Sequence, residues 1–268
     1  MILSKVRAGW LRFQQMYRFS DRFERFELIV NTAHMSPIER HVTMHMATNR
    51  HAVYAISYAH WRVKRINKIL ELYGQDWFDG KRVLELGSGL SDIGAFFADL
   101  GADVLCLEGR NETAQMARLK HRRVPNLKVE VFDLEEDFTK FGKFDMIIHF
   151  GLLYHIPQVE EHLAQCFSMT REVVLETVVC DSNDPMRIEL VPEEKDVIEE
   201  AMHGMGSRPS AAFVERIARE NKFEPTMIAT QDLNVGDQFV YDWKSKNDGD
   251  LGGWRNRRFW RMSSEADG

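Results

Sequence analysis

The sequence predicts an α/β fold in which helices cover both faces of a doubly wound, seven-stranded and mostly parallel sheet. Beyond Lys81, short apolar runs alternate with segments of helical periodicity, and this alternation is typical of parallel sheets. The first apolar run, Arg82–Leu86, leads into a turn with two glycines. Acidic residues also stand at the ends of the first three runs, the edge at which such sheets bind ligands.

Strands and connecting helices account for residues 81–262. The predicted strands are Arg82–Leu86, Asp103–Leu107, Leu127–Phe132, Phe144–Phe150, Glu172–Val179, Phe223–Thr230 and Arg257–Met262. The predicted helices are Ser91–Leu100, Glu112–His121, Gln158–Ser168 and Pro209–Asn221, the last capped by Ser207 or Ser210. The final strand alternates arginine with aromatic residues. This pattern favours an edge strand with outward arginines over a nucleic-acid surface.

Three further segments complete the predicted domain organisation. Residues 1–80 have helical periodicity and are expected to form a helical cap, with a long helix at Val53–Tyr73. Residues 186–206 are expected to be a partly helical insertion in the domain formed by residues 81–262. Residues 263–268 are expected to be a frayed tail.

The composition favours a protein of the reducing cytoplasm. The chain has 268 residues, 44% of them hydrophobic, and no apolar run of about 18 residues that would predict a membrane span. The three cysteines lack metal-ligand spacing, so no metal site is predicted. The net charge is −6, although residues 1–80 hold 12 basic and 7 acidic residues. This basic segment leaves an anionic partner open, but a solvated helical face is the favoured interpretation. The oligomeric state is not determined.

The turn after the first strand predicts a nucleotide site. Glu85 precedes Gly87, Ser88 and Gly89, and a segment of helical periodicity follows. Glycines let the backbone turn tightly and let a ligand approach it closely. The glycine pattern alone is weak, because dehydrogenases share it.

Two acids at the next strand ends strengthen this prediction. Glu108 stands 19 residues after Gly89, where a carboxylate can accept hydrogen bonds from both ribose hydroxyls. Asp133, followed by Leu134, ends the third strand, where it can accept a hydrogen bond from an adenine amino group. A single acid at a strand end is often only solvated, but three at successive strand ends favour a binding site.

With these motifs, residues 81–262 resemble the Rossmann-like class I S-adenosylmethionine-dependent methyltransferases. The matching stretches are VLELGSG, LCLEGR, VFDLEED and FDMIIHFGLLYHI. The resemblance implies S-adenosylmethionine as donor and S-adenosylhomocysteine as product. It places Gly87 and Gly89 beside the methionine part of the donor, Glu108 on the ribose, and Asp133 on the adenine. Ser91 departs from the pattern, because the family often has a third glycine there.

The second half of the chain resembles one branch of this family more closely. GLLYHIPQVEEHL, VVLETVV, RPSAAFVERIARENKFEP and NRRFW are similar to the branch that contains the tRNA wobble-uridine carboxymethyltransferase. That branch member binds a carboxylated donor through a lysine, a tyrosine and an arginine. The resemblance implies Tyr154 for the tyrosine, Arg257 or Arg258 for the arginine, and Arg62 at the place of the lysine. Only the fold and methyl transfer are taken from this resemblance.

The residues after the fourth strand are the candidate catalytic groups. His155 is expected to be the general base that an alcohol or phenol acceptor needs, with a structural histidine as the alternative. Tyr154 is expected to line the methyl pocket or hold the acceptor. The favoured function is methyl transfer to a small acceptor. An anionic acceptor is one form of this hypothesis. The alternatives are a tRNA-modifying enzyme, a non-catalytic donor-binding subunit and a nicotinamide dehydrogenase.

Overall fold

The computed structural model describes residues 56–197, 200–237 and 239–264. Within these ranges the helices are α1 (Ile56–Tyr73), α2 (Asp92–Asp99), α3 (Asn111–Lys120), α4 (Val159–Met169) and α5 (Ala211–Glu220). The strands are β1 (Arg82–Leu86), β2 (Asp103–Glu108), β3 (Leu127–Val131), β4 (Met146–Phe150), β5 (Glu172–Val178), β6 (Ile188–Pro192), β7 (Met205–Pro209), β8 (Glu224–Ile228) and β9 (Arg257–Ser263).

Seven of the strands form one sheet in the order β3-β2-β1-β4-β5-β9-β8. The pairs from β3 to β5 are parallel, and β9 runs antiparallel to both of its neighbours. The predicted seven-stranded, mostly parallel sheet with flanking helices is therefore confirmed. The chain winds outward from β1 in one direction and from β4 in the other. A crevice at the carboxyl ends of β1 and β4 is the position at which such sheets bind ligands.

The chain divides into two compact units, residues 1–63 and 64–268. The sheet and the site described below belong to the second unit. Residues 1–55 lie outside the described ranges, so the helical cap stays a prediction. Among the described residues, no helix combines the length and apolar character needed to cross a membrane.

A close approach between helix and sheet sets the position of α2. A Cβ atom at Gly94 would lie 2.6 Å from Sγ of Cys106 and 2.7 Å from Oε2 of Glu85. Only glycine fits at this contact, and the N-terminus of α2 is thereby held against β1 and β2. The role of Gly94 carries no motif signal in the sequence, because this glycine lies inside the helix rather than in the turn.

The expected insertion is a β-hairpin in the described residues, and its partly helical prediction is wrong there. β6 and β7 pair antiparallel, with Ile188 opposite Pro209 and Pro192 opposite Met205. Arg187–Leu190 alternates charged and apolar residues, a period of two that fits a strand. The helical propensity of the glutamate-rich stretch after β6 did not determine the structure of β6 and β7.

Two further boundaries differ from the predictions. Pro209 ends β7 instead of beginning a helix, and Oγ of Ser210 caps α5 by accepting a hydrogen bond from the Phe213 amide at 2.9 Å. Ser263 belongs to β9 rather than to a frayed tail, and residues 265–268 lie outside the described ranges.

β9 is not the edge strand that was expected, and its first two arginines do not point to solvent. It lies between β5 and β8, and Arg257 and Arg258 are buried. Arg258 donates hydrogen bonds to the carbonyls of Tyr241 and Trp243. These two arginines therefore belong to the interior and do not form a nucleic-acid surface.

Candidate active site

The turn after β1 is a tight loop with open space beside it. Gly87 and Gly89 have φ values of 63° and 54°, in the region that favours glycine. The amides of Gly87 and Ser88 donate to the carbonyl of Leu107 at 2.9 and 3.1 Å, which fixes the loop to β2. A Cβ atom at Gly89 would meet no atom within 4 Å. The loop therefore leaves room for a ligand to approach the backbone closely.

Ser91, the departure from the family pattern, adopts the conformation that a glycine would adopt. Its φ is 57°, it is fully buried, and its Oγ donates to Oγ of Ser88 at 3.0 Å. The side-chain hydrogen bond offsets part of the cost of a left-handed conformation. The substitution therefore leaves the shape of the turn intact.

Glu108 lies beside this loop at the end of β2. Its Oε2 accepts from the Gly89 amide at 2.8 Å, and its Oε1 accepts from the Arg110 amide at 2.9 Å. Burial raises the pKa of Glu108, and the two amide hydrogen bonds oppose that rise. A carboxylate has about four lone-pair positions, so two remain for a ligand. This arrangement fits the hydroxyl pair of a ribose.

Asp133 lies after β3 and contacts the connection between β6 and β7. Its Oδ1 accepts from the Glu135 amide at 3.1 Å, and its Oδ2 lies 2.6 Å from Nε2 of His203. Arg110, at the Glu108 carboxylate, donates to three carbonyls of the same connection, those of Lys195, Val197 and Glu200. The hairpin connection thus contacts the ribose and adenine sides of the predicted donor site.

Leu134 and Glu85, both predicted donor-binding residues, make contacts within the protein. The side chain of Leu134 belongs to the hydrophobic core, and its carbonyl lies 3.1 Å from Nδ1 of His162. Oε2 of Glu85 accepts from the Gly94 amide at 2.9 Å and contacts Sγ of Cys106 at 3.2 Å. These contacts place the Glu85 carboxyl beneath α2, where it supports the loop from inside.

The buried Glu85 carboxyl makes stability depend on pH. Burial raises the pKa of Glu85 from 4.5 to about 8, with hydrogen bonds from Cys106 and Gly94 opposing the rise. The protonated carboxyl contributes to the free energy of unfolding, because the folded protein binds this proton more tightly than the unfolded chain does. The contribution is complete below about pH 4.5 and is lost as pH rises to about 8. Relative to Glu85→Gln, the wild type should lose about 1.4 kcal/mol per pH unit in this window and then level off. Urea unfolding of both proteins between pH 5 and 9 measures this, and parallel stability profiles would contradict it.

His155 is held by a carboxylate from the hairpin. It ends a short 3-10 turn, Leu153–His155, and its Nδ1 lies 2.6 Å from Oε2 of Glu193, the residue after β6. A carboxylate only accepts hydrogen bonds, so Nδ1 carries the proton and Nε2 presents a lone pair. Burial lowers the pKa of His155, and Glu193 opposes only part of that effect. Burial therefore favours the neutral form of the imidazole.

Arg208 on β7 completes the surroundings of His155. Its guanidinium lies 3.4 Å from Oε1 of Glu193 and donates to the carbonyl of Tyr154 at 3.1 Å. It also lies 5.4 Å from the ring centre of Tyr154 and 5.6 Å from that of Trp254. Glu193 lies in the expected insertion of residues 186–206 and Arg208 lies just beyond it, and no spacing in the sequence predicted a role for either residue.

A buried ionic cluster lies next to Tyr154. Oε1 of Glu176 on β5 lies 2.8 Å from Arg257 and 2.9 Å from Arg65, and it accepts from the Tyr241 hydroxyl at 3.0 Å. Arg257 also reaches the Tyr154 hydroxyl at 3.4 Å. Burial alone would raise the pKa of Glu176. The two guanidinium groups outweigh this effect and hold that pKa below its ordinary value. The glutamate in the apolar stretch VVLETVV was the available sequence signal, because a buried charge needs partners.

Arg65 of this cluster lies on α1, which also carries Arg62. Arg62 is half-buried and belongs to the unit of residues 1–63. The role of Arg62 in donor binding stays a prediction. The structure brings Tyr154 close to Arg257, which shares the Glu176 carboxylate with Arg65.

One group of described residues has the spacing of metal ligands, and it lies in the core between β4 and α4. The ligand atoms of His149, His162 and Cys166 lie within 4.8 Å of one another. Nε2 of His149 lies 2.8 Å from Nε2 of His162, whose Nδ1 donates to the Leu134 carbonyl. Burial lowers the pKa of His149 well below its ordinary value and that of His162 to about 4. These contacts fit a neutral hydrogen-bonded pair in the core.

The sheet order and the glycine loop after β1 are typical of nucleotide-binding α/β folds, and comparisons with known proteins show the same fold. Residues 84–173 match the family model described as a methyltransferase domain. The N-terminal domain of EvdMO1 with bound S-adenosylhomocysteine has a TM-score of 0.60 at 18% identity, over 76% of this chain and 81% of that one. Magnesium protoporphyrin IX methyltransferase (ChlM) from Synechocystis PCC 6803 with bound S-adenosylmethionine has a TM-score of 0.50 at 14% identity, over 96% and 91%. No curated protein sequence matches.

Residues 84–173 therefore match a methyltransferase domain, and the similar solved structures hold S-adenosylmethionine or S-adenosylhomocysteine. The glycine loop and Glu108 fit this donor, because the open space beside Gly89 and the remaining lone pairs of Glu108 lie at the same strand ends. When bound, the donor supplies an electrophilic methyl group on a sulfonium.

Replacing Glu108 with alanine should weaken binding of S-adenosylhomocysteine. Losing the ribose hydrogen bonds costs about 1–3 kcal/mol, or roughly 5- to 150-fold in affinity. Calorimetric titration measures this effect. Glu224→Ala is the control, because Glu224 is exposed at the opposite, amino-terminal edge of the sheet and should leave affinity unchanged. Equal affinity of wild type and a folded Glu108→Ala protein would exclude Glu108 from the donor site.

Proposed function

We propose that the enzyme transfers the methyl group of S-adenosylmethionine to a hydroxyl oxygen of a small acceptor, with His155 as general base and Glu193 as its positioning residue. The 2.6 Å contact between Nδ1 of His155 and Oε2 of Glu193 carries this proposal. A hydroxyl is a poor nucleophile until its proton is removed, whereas an amine or thiolate acceptor needs no base. An oriented neutral histidine beside a methyl-donor site therefore favours oxygen as the acceptor atom.

The position of His155 supports its role as base. β1 and β4 are neighbours in the sheet, so the turn after β4 and the glycine loop after β1 lie at the same edge. A Cβ atom at Gly87 would lie 3.1 Å from Leu152, the residue before the 3-10 turn of His155. Methyl transfer is an in-line displacement, and alignment of the two reactants provides most of the rate acceleration. His155 needs only to receive the hydroxyl proton.

The surrounding charges support a small acceptor with an anionic group. Arg208 and Arg257 lie 5.4 and 5.2 Å from the Tyr154 ring, on the same side of the site as His155. A carboxylate or phosphate on the acceptor would gain from their positive potential. Both guanidinium groups are buried, so a compact anion suits them better than an extended polymer. Tyr154 is the residue between these cations and the base.

The tRNA acceptor and carboxylated donor of the resembling branch remain alternatives with less support. The contact of 3.4 Å between Arg257 and the Tyr154 hydroxyl fits that branch. Against it, Arg257 and Arg258 of β9 are buried rather than arranged as a basic surface. The methyl donor and a small acceptor therefore form the better-supported proposal.

The test is to identify the atom that receives the methyl group. The enzyme is incubated with S-adenosylmethionine labelled with carbon-13 in its methyl group and a panel of small hydroxy acids, amino acids and purified tRNA. Carbon-13 NMR distinguishes O-methyl from N-methyl products by chemical shift. We expect O-methylated hydroxy acids. Labelled methyl groups on nitrogen, or a labelled carboxymethyl or methyl group on tRNA, would contradict the proposal.

A further inference from the structure

A tryptophan lies exposed beside the proposed base. Trp254 is 41% exposed, and it lies in a turn closed by the Arg255 amide, which donates to the Gly252 carbonyl at 2.8 Å. Gly252 and Gly253 have positive φ values of 70° and 51°, which this turn requires. The carbonyl of Trp254 accepts a hydrogen bond from Nε of Arg257 at 3.0 Å. The backbone of Trp254 is therefore fixed while its indole ring stays open to solvent.

The rings around Trp254 form an aromatic wall on the acceptor side. The indole centre lies 5.5 Å from the Tyr154 ring, at an interplanar angle of 77°, and 6.1 Å from the His155 ring. The Arg208 guanidinium lies 5.6 Å from the indole centre. An exposed aromatic face beside a base and a cation is unusual for a surface residue, because large aromatic side chains normally bury their area.

We propose that the acceptor carries a planar aromatic ring, that this ring stacks against Trp254, and that its hydroxyl oxygen receives the methyl group. This inference rests on the proposed function and names the chemical class of its acceptor. The edge-to-face contact of Trp254 with Tyr154 leaves an indole face for a second ring, in the offset geometry that aromatic pairs prefer. Arg208 lies where it stabilises the negative charge that develops on the ring oxygen.

The chemistry of the base supports an aromatic hydroxyl over an aliphatic one. A phenol has a pKa of about 10, whereas an aliphatic hydroxyl resembles water, at about 15.7. Burial lowers the pKa of His155, which makes it a weaker base and suits the more acidic hydroxyl. As the acceptor oxygen bonds to the methyl carbon, the bond from that carbon to sulfur breaks. The hydroxyl proton passes to Nε2 of His155, and the sulfonium becomes a neutral thioether.

The test compares ring chemistry without requiring turnover. In the presence of S-adenosylhomocysteine, the protein is titrated calorimetrically with the three isomeric monohydroxybenzoates. The control ligand is trans-4-hydroxycyclohexanecarboxylate, which has the same charge and hydroxyl on a saturated ring. We expect at least one hydroxybenzoate to bind about three- to tenfold more tightly than the control, the gain typical of an aromatic pair. Trp254→Leu should remove this preference, and Trp254→Phe should retain most of it.

The outcomes separate this inference from the proposed function. Both Trp254 variants should bind S-adenosylhomocysteine normally, which shows that they are folded. Equal binding of the two ring types, no binding of either, or no effect of Trp254→Leu would overturn the inference. Binding that depends on Trp254 without any O-methyl product would instead contradict the proposed function. O-methylation of the saturated acid alone would retain the proposed function and overturn the inference.

Discussion

Replacing His155 with alanine is expected to lower kcat by about 10²–10⁴-fold, because the acceptor hydroxyl then loses its general base. Donor affinity should not change, since His155 contacts Glu193 and the acceptor side rather than the glycine loop. The measurement is methyl transfer from labelled donor to the acceptor identified by NMR, together with titration of S-adenosylhomocysteine. A structural histidine would instead change the unfolding midpoint and affect both readouts.

Glu193→Gln tests whether the carboxylate positions the imidazole. The amide no longer fixes the proton on Nδ1, so a loss of kcat of at least about tenfold is expected with little change in KM. Removing Glu193 also removes the interaction that raises the pKa of His155, so the acid limb of the pH profile should move to lower pH. Glu189→Gln, in the hairpin with a side chain that is 42% exposed, is the control and should leave the profile unchanged. An acid limb that stays in place would contradict the role of Glu193.

Glu176→Ala is expected to destabilise the fold by about 3–5 kcal/mol, the cost of leaving buried charges without their partner. Arg65 and Arg257 both pair with Glu176 in the interior, and Glu176 also accepts from the Gly151 amide at 3.0 Å. Glu176→Gln offers one acceptor oxygen in place of two, so an intermediate loss is expected. Urea unfolding at neutral pH measures both.

The matched control for this cluster is Glu172→Gln on the same strand. Glu172 pairs with Arg261, whose side chain is 38% exposed, and such pairs contribute about 0–1 kcal/mol. If Glu172→Gln lost as much stability as Glu176→Ala, the effect would come from β5 as a strand rather than from the buried cluster. Similar stability of Glu176→Ala and wild type would show that water enters the site and replaces the carboxylate.

Most of the sheet could be predicted from the sequence because its strands are local signals. Arg82–Leu86 is an apolar run bounded by a turn, and its observed limits equal the predicted ones. The right-handed connections of parallel strands restrict the possible strand orders but do not fix one. The hairpin of β6 and β7 could not be predicted in this way, because Ile188–Pro192 acquires its strand pairing only from a segment 13 or more residues further along the chain.

The same distinction applies to the site. Glu108 and Gly89 could be paired from the sequence, because the turn after β1 and the end of β2 are adjacent in every parallel sheet of this type, and they meet at 2.8 Å. Glu85 shows the limit of this reasoning: the motif places it in the donor turn, whereas its side chain points beneath α2. The direction of one side chain depends on packing, and Gly94 creates the space that Glu85 occupies.

The sequence by itself determined the doubly wound sheet, the glycine loop, and the acids at the strand ends, because these features depend on local periodicity and on fixed connections between neighbouring strands. Only the tertiary structure decided which groups surround His155. Glu193 and Arg208 come from a hairpin, and Trp254 comes from the loop before β9. No spacing in the chain links these three residues to His155. These side chains come from separate elements, and each element is positioned by the packing of its own apolar face. That packing is cooperative over the whole core, so it cannot be read from any one segment.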